Sequence, residues 1–208
     1  MSVSVIIPAY NEERTITEVV QVVNTSPYNQ DIIVVSDGSM DNTTTVAHQA
    51  GAKVLELPEN IGKGGAMKAG VQEAKYEILL FLDADLIGLR KEHIQSLVEP
   101  ILDGNAEMTV GVFEKGRLAT DFAQLITPYL SGQRAVLKSI FLNVSELEAS
   151  RYGVEAALTQ HFRNSTSLRI IEVLLPDLTH LMKEEKLGLV KGFKERMKMY
   201  WEIAKWVK

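Results

Sequence analysis

Residues 77–85 read Glu-Ile-Leu-Leu-Phe-Leu-Asp-Ala-Asp, and this stretch decides the fold class. Residues 77–82 are apolar on both faces, the pattern of a central parallel strand covered by helices on either side. The run stops at Asp83-Ala84-Asp85. Two carboxylates one residue apart at a strand tip project into one crevice, which is costly unless a cation or hydrogen bonds offset the repulsion. Oxygen ligands of this kind suit Mg²⁺ or Mn²⁺, ions that complete their shell with substrate phosphates. The plainer alternative is that one Asp caps the next helix and the other is solvated, because an isolated DxD pattern is common by chance.

Outward from this strand, short β-rich runs alternate with helical patterns. Strands are predicted over residues 3–7, 31–36 and 53–57, and helices over 12–25, 41–50 and 64–74. In 12–25 the residues Ile16, Val19, Val20 and Val23 recur at helical spacing. Four strand–helix alternations with short connections define an α/β fold, a Rossmann-like, doubly wound, mostly parallel sheet. Further along, a helix is expected over 91–102, strands over 107–113 and 168–174, a short strand or loop over 131–135, and a helix over 153–162. With no repeat or linker, the chain reads as a single domain, 1–208. Its nucleotide-binding half is 1–90, its acceptor half 91–182, and a C-terminal helix occupies 183–208.

Ligands of such sheets bind beyond the carboxyl ends of the strands. The polar motifs of this chain fall there, at 8–12, 37–41, 60–64 and 83–85. Asp37 at the second strand's tip offers a carboxylate to a nucleobase imide N–H, Gly38 permits a tight turn, and Asp41 is an N-cap choice. Asn60-Ile61-Gly62-Lys63-Gly64-Gly65 is a glycine-rich loop entering a helix, where backbone and Lys63 can oppose a diphosphate. It is not a Walker motif.

The segments VSVIIPAYNEE (3–13), VVSDGSMDNT (34–43), NIGKGGAMKAG (60–70) and ILLFLDADL (78–86), in this order and spacing, resemble the nucleotide-binding half of family 2 glycosyltransferases. The resemblance implies the DxD-bearing, A-type glycosyltransferase architecture and a nucleotide-diphosphate sugar donor, with a lean to UDP-glucose. It implies that Pro8, Ala9, Tyr10, Asn11, Glu12 and Asp37 surround the nucleoside. Lys63 then lies beside base or phosphate, Asp83 and Ala84 by the ribose or metal, and Asp85 on the metal. SGQRA (131–135), YGVEAALT (152–159) and a strand leading to His180 are similar to glucosyl-3-phosphoglycerate synthases and related small transferases. That similarity implies that His180 joins Asp85 on a Mg²⁺ or Mn²⁺ ion. Taken alone, a single loop His is more often solvated; His48, His93 and His161 have no such context and are expected at the surface.

Glu155 opens a predicted helix, where a first-turn carboxylate is favoured by the dipole. Its functional alternative is an active-site carboxylate that deprotonates or orients the acceptor hydroxyl. Gln133 and Arg134 are candidates to grip a phosphate or carboxylate on that acceptor, since guanidinium forks match such groups, and Arg134 joins Glu155 as a catalytic candidate that positions the acceptor hydroxyl. The acceptor is expected to be a small phosphorylated or carboxylated molecule, or a lipid phosphate.

The formal charge of −5 argues against nucleic acid as a partner, because phosphate neutralisation needs a basic surface. From Lys183 onward eight Lys/Arg face four Glu, a net of +4, which leaves −9 for the rest. Val190, Phe193, Met197, Tyr200 or Trp201, Ala204 and Val207 make that tail an amphipathic helix for the domain or a homodimer partner, or a peripheral membrane helix with Trp201 and Trp206 at the headgroups. Zero cysteines, no basic-then-apolar leader pattern and no apolar run near ~20 residues lead to the expectation of a soluble, cytoplasmic protein. Two rivals remain at this point. A sugar nucleotidyltransferase would carry a Gly-rich turn where this chain has PAYNEE, and a non-catalytic nucleotide-sugar binder has no need of Lys63, Glu155 and His180 together.

Overall fold

A computed structural model describes residues 2–113, 131–144 and 154–180. The predicted C-terminal helix, and with it the homodimer and membrane contacts, lies outside these residues.

Strands β1 (Val3–Ala9), β2 (Asp31–Asp37), β3 (Lys53–Leu57) and β4 (Ile78–Phe81) pair in parallel in the order β3-β2-β1-β4. Between and after them run helices α1 (Ile16–Thr25), α2 (Thr43–Gln49), α3 (Lys63–Glu73) and α4 (Lys91–Leu102). The sheet continues through β7 (Arg134–Leu137), antiparallel to both neighbours, to β6 (Met108–Phe113) and β8 (Ile170–Leu175). Helices α5 (Lys138–Asn143) and α6 (Val154–Asn164) complete this half. A separate ribbon pairs β5 (Leu86–Ile87) with β9 (Thr179–His180).

Side-chain alternation along the strands builds two cores. Val3, Val5 and Ile7 face α1 and α4, whose Val19, Val20, Ile94 and Leu97 are fully buried. Ile6, Leu79 and Phe81 face α3 and the α5–α6 side, against Met67, Phe141 and Leu158. All four residues of β4 are buried, as its unbroken apolar run requires, and Phe81 stacks on Phe141 at 5.2 Å. Gly70 lets α3 press onto the sheet, since a Cβ there would meet Ile6 at 2.5 Å. The chain leaves β1 for β2 on one side and returns to β4 on the other, so a crevice opens at the carboxyl ends of β1 and β4.

Several boundaries differ from expectation. The first helix starts at Ile16, not Glu12, because the amides of Asn11, Glu12 and Glu13 are bonded sideways to Ser39, Thr43 and Asp41. α2 starts at Thr43, with Asp41 Oδ1 accepting from the Thr43 amide at 3.0 Å. The segment expected as a strand or loop at 131–135 is loop to Gln133 and strand from Arg134. His93 is buried, not at the surface: its Nδ1 accepts from the Arg90 amide at 3.2 Å at the start of α4. Among the described residues no helix is long and apolar enough to cross a membrane.

Candidate active site

Strand β4 delivers Asp83 and Asp85 to the crevice floor. The ribbon β5–β9 brings His180 beside them across nearly a hundred residues of sequence, with Leu86 paired to His180. His180 Nδ1 lies 3.1 Å from Asp85 Oδ1 and 3.9 Å from Asp83 Oδ2, and its ring packs edge-on against Phe113. One ligand atom from each of Asp83, Asp85 and His180 lies within 4.8 Å of the others. Two carboxylate oxygens and one imidazole nitrogen, partly open on one side, suit a borderline-hard divalent ion with coordination positions left for a substrate. Burial alone would lower the His180 pKa, but the Asp85 hydrogen bond and both carboxylates overcome it and raise the value.

Lys63, the first residue of α3, supplies the site's cation. Its ammonium sits 2.5 Å from Asp83 Oδ1 and 2.6 Å from Glu155 Oε1. Burial disfavours the charged amine, yet the two carboxylates outweigh it and push the Lys63 pKa up. Asp83 answers in kind: burial would raise its pKa, and the Lys63 and His180 charges bring it below the ordinary value. Asp83 Oδ2 also accepts from Gln133 Nε2 at 2.8 Å.

The nucleoside-side residues occupy the remaining strand ends. Tyr10 is half exposed beside the crevice, and Asn11, at φ 56°, accepts from the Met40 amide at 2.8 Å through its Oδ1. The Glu12 amide donates to Thr43 Oγ1 at 2.8 Å. These bonds tie the loop after β1, which carries Pro8 and Ala9 at its root, to the loop after β2. Asp37 is buried, and its carboxylate accepts from the Ile61 and Gly62 amides at 2.8 and 3.0 Å. Two amides of the loop before α3, those of Ile61 and Gly62, are therefore turned to Asp37, and Lys63 is the loop's cationic side chain. Gly38, at φ +66°, sits under this loop; a Cβ would meet the Asn60 nitrogen at 2.6 Å.

The two residues expected to grip the acceptor lie inside the protein. Arg134 is fully buried, and its guanidinium donates to the Ser131 and Glu155 main-chain carbonyls. Gln133 is also fully buried, between Asp83 and the Ser131 hydroxyl. Neither side chain reaches open space. Glu155 is buried in the first turn of α6 with its carboxylate on Lys63. Sequence alone missed the close approach of Gly88 to Asp177 beside the ribbon, whose signal is limited to one glycine after a two-residue strand.

A crevice at the β1/β4 switch point, a DxD pair and a lysine-led helix are the marks of a nucleotide-sugar glycosyltransferase of the A-type fold. The chain belongs to glycosyl transferase family 2, whose profile matches residues 4–154. Among solved structures it resembles the glucosyl-3-phosphoglycerate synthase of Mycobacterium tuberculosis in complex with Mn²⁺, uridine diphosphate and glucosyl-3-phosphoglycerate. That likeness has a TM-score of 0.76 and 27% identity, and covers 86% of this chain and 72% of that one. Among sequences, a dolichyl-phosphate beta-glucosyltransferase of Drosophila melanogaster is 42% identical over 101 residues, 41% of this chain and 31% of that protein. A 4,4'-diaponeurosporenoate glycosyltransferase of Staphylococcus aureus is 35% identical over 102 residues, 47% and 27% of the two chains. The chain thus spans less than half the length of these curated relatives.

Proposed function

We propose that this protein transfers a hexose from a UDP-sugar, UDP-glucose first, to an acceptor bearing a phosphate or carboxylate, with Mn²⁺ or Mg²⁺ at Asp83, Asp85 and His180. The observation that carries the proposal is the meeting of these three ligands with the Lys63 ammonium at the carboxyl edge of the sheet. A cation bound there supplies positive charge against the donor's diphosphate. Lys63 adds a second positive group, fixed before the donor arrives, against the charge that grows on UDP as the bond from anomeric carbon to phosphate oxygen breaks. Tyr10 and the loops at Asn11 and Asp37 form the nucleoside's side of the crevice, and Glu155 keeps Lys63 aimed at Asp83.

The anionic acceptor is supported by the neighbours, one solved with phosphoglyceric acid and one named for dolichyl phosphate. The protein is proposed to act on soluble donors in the cytoplasm. The test is UDP release from UDP-glucose with Mn²⁺, run with 3-phosphoglycerate, glycerol 3-phosphate, a short polyprenyl phosphate and neutral glycerol. Release accelerated by the anionic acceptors alone supports the reading. Pyrophosphate release from UTP and glucose 1-phosphate, with no transfer, would replace it by nucleotidyl transfer.

A further inference from the structure

Arg134 is the largest fully buried side chain of the described residues, and a buried guanidinium is a costly choice for a core position. Burial pulls its pKa down to about 10, so it remains charged at neutral pH. It stands in β7 opposite Phe81 of β4, directly behind the active site. Each of its three nitrogens donates to a main-chain carbonyl, not to a carboxylate. Nε and Nη2 both reach the Ser131 carbonyl, at 3.2 and 2.5 Å, and Nη1 reaches the Glu155 carbonyl at 3.0 Å.

From these two carbonyls, contacts run forward along two arms that meet. On one arm, the Ser131 hydroxyl touches Gln133 Oε1 at 3.2 Å, and Gln133 Nε2 donates to Asp83 at 2.8 Å. On the other, Glu155 holds Lys63 at 2.6 Å, and Lys63 holds Asp83 at 2.5 Å. Arg134, Ser131, Gln133, Asp83, Lys63 and Glu155 thus form a closed ring. Within it, Gly132 is drawn so close that a Cβ would overlap both Asp83 oxygens and the Lys63 nitrogen. The Arg134 fork on Ser131 is what holds this stretch down.

We infer that Arg134 is a positioning residue, whose buried guanidinium clamps the 131–133 loop and the start of α6 so that Gln133 and Glu155 keep Asp83 and Lys63 in working register. A point-charge ammonium cannot fork across both carbonyls, so Arg134→Lys keeps the charge and loses the clamp. Arg134→Met keeps the volume and removes the polar demand, a replacement that is often neutral or stabilising for a merely structural buried charge.

The inference rests on the glycosyltransferase reading, and the experiment separates the two. Wild type, Arg134→Lys and Arg134→Met are compared for UDP-glucose turnover with Mn²⁺, for UDP affinity with Mn²⁺, and for Tm. The expected result is a folded Arg134→Lys protein whose UDP affinity stays within about three-fold while kcat falls by about 10²-fold, the scale set by a small misplacement of reacting groups. In a Glu155→Gln background the same change should cost only a few-fold, because residues acting as a unit are not additive. Variants with lowered Tm but unchanged kcat per folded molecule would overturn the inference and leave the reading intact. A wild type that binds UDP and turns over no UDP-sugar would overturn the reading, and the inference with it.

Discussion

Lys63 Nζ lies 2.5 Å from Asp83 Oδ1, so one of the two carboxylates of the DxD pair is held by a fixed cation while the other, Asp85, faces His180. The pair is thereby divided. Asp83 is oriented from behind by Lys63 and Gln133, and Asp85 reaches forward with the imidazole. This explains how two acidic groups coexist at a strand tip without a large electrostatic cost.

Removing that cation should be expensive. Lys63→Met leaves Asp83 and Glu155 close together, without the charge between them. The expected outcome is a loss of about 10²–10³ in kcat, the scale of deleting one preorganised electrostatic group. Steady-state rates per folded molecule check this, with folding followed by circular dichroism.

The β5–β9 ribbon predicts an effect at a distance from the ligands. Gly88 has φ +81°, and a Cβ there would meet the Asp177 carbonyl at 2.6 Å. Gly88→Ala should strain the turn by about 1–3 kcal/mol and displace His180 from Asp85. Mn²⁺ affinity, measured by titration calorimetry or by loss of the free-ion paramagnetic signal, should fall by about 10-fold, within the range seen when ligand orientation is disturbed.

A pH effect follows from His93. Burial, reinforced by the nearby Arg90 guanidinium, lowers its pKa below the usual 6.5. In the folded protein Nδ1 accepts the Arg90 amide, and protonation would break that bond. The unfolded chain therefore takes up the proton first as pH falls. This contribution to stability is fully present above the unfolded value of 6.5 and declines below it, until pH reaches the folded value. The slope from one proton is at most about 1.4 kcal/mol per pH unit. His93→Gln, which can still accept the Arg90 amide, should flatten the difference in Tm between pH 7.5 and pH 5.5; an unchanged slope would contradict the assignment.

The nucleotide-binding half was legible because its signals are local. Short β-rich apolar runs and period-3.6 patterning marked β1 to β4 and the helices between them, and the strand-tip rule gathered Asp37, Lys63, Asp83 and Asp85 at one edge. Asp37's engagement with the Ile61 and Gly62 amides was hidden, since a loop folding back on a strand tip leaves no periodic trace. The short ribbon and α5 were also missed, because two paired residues or a helix of under two turns fall below any pattern. His93 was misplaced for a further reason: its polarity suggested exposure, whereas tertiary packing supplied the buried partners that let it remain inside.

The central claim is a UDP-sugar site completed by a divalent ion at Asp85, and the most direct measurement is the Tm of wild type and Asp85→Asn with UDP or GDP, each with and without Mn²⁺. A ligand bound only by the native state raises Tm by mass action. The account predicts a UDP shift in wild type that needs Mn²⁺, little shift with GDP, and loss of the metal-dependent part in Asp85→Asn. A UDP shift of equal size without Mn²⁺ and in Asp85→Asn would contradict it.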